Sequence, residues 1–252
     1  MNFREKLIKR EKVLGTWVTS PSVHSLDSIC STGIDFVILD QEHGTIAFGD
    51  LLPLINTAKA HNCFAMVRPS SINKDSIQQA LDNGAHGIQV PNVENVQDAM
   101  LVVDYAKYPP IGSRGYSPFV PSSNYQNNGP SWNIQMNELL VTGINVEGKE
   151  GIESIDSIMS IDGIDIIFVG LFDLSKALGI AGEVQNQIVI DKLKDVIKSA
   201  KKHKKSIGTI ATSFDHMKFL MSIGVNFIVH MVDMNILNES YKMIHNSFKE
   251  NL

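Results

Sequence analysis

Eight short apolar runs alternating with amphipathic stretches along 252 residues predict a single-domain (β/α)8 barrel spanning residues 1–252. Three observations carry this. Eight strand–helix units in a chain of this length fit one barrel of roughly 250 residues better than an open doubly wound sheet. The run 36–39 is unbroken and apolar instead of alternating, as in strands of a parallel sheet covered on both faces. No GxGxxG follows the first run, which counts against a dinucleotide-binding sheet.

The elements follow in order. Residues 1–12, charged and amphipathic, predict a short capping helix, and 13–18 the first strand. A helix over 21–32 closes at Gly33, where a left-handed residue commonly ends helices. Strand 35–40 leads to helix 48–61, with Pro53 early in it, where proline costs least. Strand 64–67 ends at Arg68-Pro69, and Gly84 stops helix 75–83. Strand 87–90 ends at Pro91 and is followed by helix 93–107. Between Tyr108 and Asn137 the rhythm breaks into a stretch rich in Pro, Gly, Ser and Asn. A loop of this length inside a compact domain usually serves function, and it reads as an ordered cover over a site, placed before the fifth strand. The alternation resumes with strand 139–146, helix 151–160, strand 165–169, helix 191–203, strand 206–210, helix 214–222, strand 227–230 and a last helix over about 234–249.

Composition excludes several classes. A net charge of -5 offers no attraction for nucleic acid or an anionic membrane, and the basic cluster 198–205 reads as a solvated helix face. No apolar run approaches the roughly 18 residues of a membrane span. Two cysteines, Cys30 and Cys63, make no disulfide framework and, without a signal-like N-terminus, predict a reduced, cytoplasmic setting. CxxC, P-loop, HExxH and GxSxG strings are absent.

In a barrel the reacting groups gather at the C-terminal ends of the strands. Those ends carry Asp40, Glu42 and His43, then Arg68, then Asn145 and Glu147, then Asp173. An acid three residues before a histidine can orient the imidazole and raise its basicity, although the same short string also suits a strand end with a solvated loop. Asn145 and Glu147 share a face because strand side chains alternate. Glu147 and Asp173 on neighbouring strands could hold a divalent ion, Mg²⁺ or Mn²⁺, with Co²⁺ a further candidate, leaving positions for water or substrate oxygens. The competing reading pairs these carboxylates with Arg68 as a structural ion cluster, and makes Asn145 a satisfied core amide. A metal and a guanidinium facing one ligand would stabilise an enolate, and His43, oriented by Asp40, would move a proton. The other route to such a carbanion, a Schiff-base lysine, needs a lysine inside a strand, and no predicted strand carries one. His61, His86, His203 and His216 read as surface or loop residues, and His230 as a residue lining the pocket.

Taken together, LDQEHG at 39–44, VRPS at 67–70, QVPNVEN at 89–95, YPPIGSRG at 108–115, NVEGKEGIESID at 145–156 and VGLFDLSKALG at 169–179 resemble the HpcH/HpaI family of class II pyruvate aldolases, over most of the chain. The resemblance implies reversible cleavage of a 4-hydroxy-2-oxo acid to pyruvate and an aldehyde. His43 would handle the proton with Asp40 as its partner, Arg68 would meet the keto oxygen, and Glu147 and Asp173 would bind the metal. Asn145 stands where members often have Gln, and Gly170, Leu171 and Phe172 stand where backbone N–H groups would seat the pyruvate carboxylate. Asp82 falls where some members send an acid into a neighbouring subunit's site. Members are typically hexamers, trimers of dimers exchanging the last helix. Phe172, which could reshape the carboxylate seat, His230-Met231 and the absence of a base after Arg114 depart from the family pattern; the missing base and the Ser, Asn and Tyr content of that segment point to a neutral, hydroxylated aldehyde. Two other readings remain: a related metal–enolate enzyme (a β-keto-acid decarboxylase or acyl-CoA lyase), and an inactive ligand-binding paralogue.

Overall fold

The computed structural model describes residues 2–146 and 148–251, Pro130 and Lys149 by their backbone alone. Strands β1 (Val13–Val18), β2 (Phe36–Asp40), β3 (Phe64–Arg68), β4 (Gly87–Val90), β5 (Val141–Val146), β6 (Ile166–Val169), β7 (Ser206–Ala211) and β8 (Phe227–Val232) pair in sequence order, all parallel, and close into a barrel. The helices are α1 (Phe3–Ile8), α2 (Val23–Ser31), α3 (Leu51–Ala60), α4 (Lys74–Asp82), α5 (Val96–Ala106), α6 (Pro130–Leu139), α7 (Lys149–Glu153), α8 (Ile155–Met159), α9 (Leu171–Ala177), α10 (Gln187–His203), α11 (Phe214–Ile223) and α12 (Asp233–Glu250). The side chains of Ser22, Asn73, Asn95, Asn186 and Ser213 accept first-turn N–H groups of the helices they precede, each such cap being worth about 1 kcal/mol.

Apolar residues on both faces of each strand build two cores. Alternate residues, among them Trp17, Phe36, Ile38, Met66, Phe168 and Phe227, fill the barrel interior. The intervening ones, such as Val37, Leu39, Val67 and Ile167, pack outward on the helices, as the two-residue strand period requires. Helix α1 plugs the N-terminal end: Leu7 joins the interior cluster and Phe3 stacks on Phe64 with ring centroids 4.1 Å apart.

One interior position is a glycine for lack of room. A Cβ on Gly15 would lie 2.3 Å from the Phe36 ring, itself stacked on Phe227 at 4.0 Å. Gly15→Ala is expected to cost about 1–3 kcal/mol by overpacking, read as a lower urea midpoint at unchanged slope. Phe36→Leu added to it should recover part of that loss. An unchanged midpoint in Gly15→Ala would show that the interior yields more easily than this packing implies.

Several elements depart from expectation. A helix, α6, occupies 130–139, opened by Pro130 at its first position after Gly129, where proline's missing N–H costs nothing; the fifth strand accordingly starts at Val141. Helix 151–160 is broken at Ser154 into α7 and α8, and 170–175 opens the short helix α9. Strand β8 runs on to Val232 with a register shift against β1, and Met231 takes a left-handed φ of 54° there.

The segment before β5 is ordered, but it does not cover this barrel's mouth. It leaves the C-terminal end of α5 and enters the N-terminal end of β5, so it belongs to the opposite face, where helix-to-strand connections lie. It packs along α4: Arg114 pairs with Asp82 at 2.7 Å, and Gly115 and Ser122 approach Gln78 and Gly84.

Candidate active site

The strand parity that buries Phe36 and Ile38 carries Asp40 to the same inner face at the C-terminal rim, and the register of β2 on β3 sets it beside Arg68. The two form a fork. Arg68 Nε donates to Asp40 Oδ1 at 2.8 Å and Nη2 to Oδ2 at 2.6 Å, while Nη1 stands 2.8 Å from Glu42 Oε2. The guanidinium carbon lies 4.1 Å from the Trp17 ring centroid. Asp40 is 1% and Arg68 8% exposed, so the pair is largely desolvated, in the planar two-point geometry that gives charge-assisted hydrogen bonds their strength. Among the described residues two of arginine's five N–H donors are spent in hydrogen bonds, both on Asp40, while Nη1 forms an ion pair with Glu42. The other N–H groups can still turn to a ligand.

Asp40 Oδ1 also accepts the backbone N–H groups of Glu42 at 2.9 Å and His43 at 3.3 Å, tying the loop to the strand end. This corrects the expectation that Asp40 orients the His43 imidazole. Asp40 meets His43 through the backbone, and the ring lies near Glu42 instead, Nε2 to Oε2 3.8 Å, with the His43 side chain 75% exposed. The register brings a fixed cation to Asp40, and a guanidinium outcompetes a neutral imidazole for a carboxylate. Glu42, to which the sequence assigned no role, links Arg68 to Asn92, whose Nδ2 donates to Oε1 at 3.0 Å. Trp17 was also missed; its signal is its place near the end of the first strand.

Deeper in the barrel Gln89 Nε2 donates to Asn145 Oδ1 at 2.8 Å, both residues being buried. Glu147, the first expected metal ligand, lies outside the described residues. Asp173, the second, sits exposed in the first turn of α9 at the end of β6, and among the described residues Arg68 takes its carboxylates from Asp40 and Glu42, not from Asp173. Gly170 caps α9, Leu171 turns into the core and Phe172 is half exposed. Within one protomer Asp82 does not join the mouth: it ends α4 at the far face, paired with Arg114.

His230 faces outward, its ring stacked on Phe214 at 5.2 Å in a surface groove with Leu14 and Ile29. The alternation breaks at left-handed Met231, and Val232 is the residue that packs on the interior cluster. His86 lies, half-buried, in the loop before β4, where its Nδ1 accepts the Ala65 N–H at 3.0 Å, whereas His216 is neither a surface nor a loop residue: it is 5% exposed on α11. No lysine occurs in any of the eight strands, which disfavours imine chemistry in the interior.

The charges at the described mouth set what it can bind. Asp40, Glu42 and Asp173 oppose the single guanidinium of Arg68. An anionic ligand would meet net negative charge there unless a cation joined it. Among the described residues no cluster of three or more His, Cys, Asp or Glu could hold a metal; the donors that the described mouth offers are carboxylates. That donor chemistry suits a hard divalent cation sharing its shell with substrate and water.

Comparison with known proteins agrees with this architecture. The model of the HpcH/HpaI aldolase/citrate lyase family matches residues 14–238. A 2-keto-3-deoxy-L-rhamnonate aldolase of Escherichia coli is 28% identical over 238 residues, covering 94% of this chain and 89% of that protein. The crystal structure of an HpcH/HpaI aldolase from Desulfitobacterium hafniense superposes with a TM-score of 0.93 at 25% identity, covering 99% of this chain and 97% of the other. A citrate synthase structure at 24% identity, covering 99% and 98% of the two chains with a TM-score of 0.88, shares the fold.

Proposed function

The chain belongs to the HpcH/HpaI aldolase/citrate lyase family, and on that premise we propose that it is a divalent-metal-dependent aldolase that reversibly cleaves a 4-hydroxy-2-oxo acid to pyruvate and an aldehyde. The observation that carries this is Arg68, held at the barrel mouth by two hydrogen bonds to Asp40 and an ion pair with Glu42, with N–H donors to spare among the described residues.

In the cleavage direction the C4 hydroxyl loses a proton, the C3–C4 bonding pair moves toward the C2 carbonyl, and the resulting enolate takes a proton at C3. Negative charge grows on the C2 oxygen. The spare N–H groups of Arg68 are the donors for that oxygen, and because Asp40 and Glu42 already fix the guanidinium, little reorganisation accompanies the charge shift. His43, open to solvent beside Glu42, moves the proton. Asp173, with Glu147, would hold the ion, which would supply Lewis acidity at the keto oxygen. Gly170, Leu171 and Phe172 are the candidate carboxylate seat, and Asn145, fixed by Gln89, borders the substrate.

Pyruvate methyl-proton exchange in D₂O, followed by NMR, tests the half-reaction without an aldehyde. Exchange should vanish with EDTA and return with Mg²⁺, Mn²⁺ or Co²⁺. No exchange with any of these ions would overturn the proposal. The aldehyde is proposed to be neutral and hydroxylated. The Escherichia coli relative is named for a 2-keto-3-deoxy sugar acid, a class whose retro-aldol cleavage gives pyruvate and a neutral hydroxyaldehyde, and the carboxylates of the described mouth disfavour a second acid. Turnover with glycolaldehyde should exceed turnover with succinic semialdehyde at least tenfold; the reverse order would sink this assignment.

The proposed assembly is a hexamer, a trimer of dimers, in which Asp82 serves a second copy's site and α12 is exchanged. In its support, Leu237, Tyr241, Ile244 and Phe248 stand 48–66% exposed along α12 at the spacing of one helical face. The proposal extends to a cytoplasmic setting; among the described residues no helix is long and apolar enough to cross a membrane.

A further inference from the structure

A second cavity lies at the other end of the molecule. It opens beside the N-terminal plug, holds about 410 Å³, and is walled by Phe3, Phe64, Leu81, Trp132, Met136 and Leu140. That volume is within the range of small-molecule sites. Two cationic side chains, Lys59 and Arg114, line it together with His86, Ser122 and Asn2, and among the described residues no carboxylate does.

These groups converge on Gly84. A Cβ there would stand 2.8 Å from Lys59 Nζ and 3.9 Å from Ser122 Cα, so the ammonium and the serine flank one bare stretch of backbone. Among the described residues Lys59 has no salt-bridge partner. Arg114, 6% exposed, spends Nη2 on Asp82 and stacks its guanidinium 4.5 Å from the Tyr108 centroid, yet its Nε has no hydrogen-bond partner among the described residues. Ser122 Oγ is likewise buried and unpartnered. Buried donors without partners are uncommon and call for a reason. His86 adds another donor. Its Nδ1 accepts from the Ala65 N–H, and burial with the nearby Lys59 charge pushes its pKa down to about 4, so the neutral ring carries its proton on Nε2.

We propose that this cavity is a binding site for a small amphipathic carboxylate, its acid group beside Gly84 between Lys59, Ser122 and His86, and its apolar body against Phe64, Trp132 and Met136. The chemistry selects this class. An apolar wall favours an alkyl or aryl body, while unpartnered donors beside a cation favour an anion over an alcohol of the same shape. Asp82 neutralises Arg114 in part, which suits a single negative charge better than a phosphate. Within one protomer the site is separate from the mouth, because strand ends of opposite polarity build the two, and its ligand is chosen by groups that take no part in the aldolase reading, Lys59, Ser122 and His86.

The test uses octanoate as the probe and octan-1-ol as its uncharged counterpart, titrated calorimetrically into the whole protein. Octanoate should bind at least tenfold more tightly than octan-1-ol. Lys59→Met should weaken octanoate about tenfold and leave octan-1-ol within threefold. Met136→Trp should block both by filling the cavity, and saturating pyruvate should displace neither. Circular dichroism melts of the variants confirm their folding, and quenching of Trp132 fluorescence, lost in Trp132→Phe, reports the site without relying on Met136→Trp. Absence of octanoate binding, equal binding to Lys59→Met, or displacement by pyruvate would each overturn the proposal.

Discussion

Arg68→Ala is expected to lower metal-dependent pyruvate proton exchange about 10³-fold, the scale on which a preorganised donor to a developing oxyanion acts. The geometry makes the expectation specific. Among the described residues Asp40 takes two of the five guanidinium N–H donors and Glu42 forms an ion pair with Nη1, which leaves donors for the oxyanion, and alanine removes the whole group. The same change also leaves Asp40, 1% exposed, and Glu42 without their common cation. Losing one partner of a buried pair typically costs about 3–5 kcal/mol, so part of the activity loss would come from unfolding unless the folded fraction is measured. Arg68→Lys separates the two effects. An ammonium keeps the charge balance but cannot reproduce the planar fork, so this variant should stay folded and still lose exchange by about 10- to 100-fold. Exchange within threefold of wild type in folded Arg68→Ala would remove Arg68 from the mechanism.

How far these features were legible in the sequence depends on whether local pattern or distant pairing decides them. Strand β2 was legible because 36–39 is apolar throughout, and a strand covered on both sides leaves that mark. The same uniformity hides which residues face inward. The polar exceptions, Asp40, Arg68 and Asn145, give the parity away, and that is why the strand-end rule picked them. The partner of Asp40 was not legible. Sequence proximity suggested His43, three residues away, whereas the parallel register places Arg68, 28 residues away, at hydrogen-bond distance. Register is a property of two strands and leaves no trace in either alone. The segment before β5 was read as a cover because its composition and length are those of functional loops. Its side of the barrel follows from a simpler fact, that it succeeds a helix. Helix α6 was masked because its start, Gly129-Pro130, sits in a run where Pro and Gly read as loop residues.

Asp40→Asn separates positioning from contact, since Asp40 touches no substrate in the proposed mechanism. The amide oxygen can replace Oδ1, which accepts from Arg68 Nε and from the N–H groups of Glu42 and His43. The amide nitrogen must then stand where Oδ2 now receives Nη2 at 2.6 Å, a donor facing a donor. The guanidinium loses half its fork and swings toward Glu42. Stability is expected to fall by about 2–4 kcal/mol, between a lost charge-assisted bond and a broken buried pair, and exchange by about 10²-fold with little change in metal affinity. Adding Arg68→Met and Glu42→Gln to Asp40→Asn should recover most of the stability and none of the exchange, because buried charges are dispensable to the fold when they leave together. A triple variant no more stable than Asp40→Asn would mean that the fork is structural first, and that Arg68 lies at the mouth as a consequence of holding the strands.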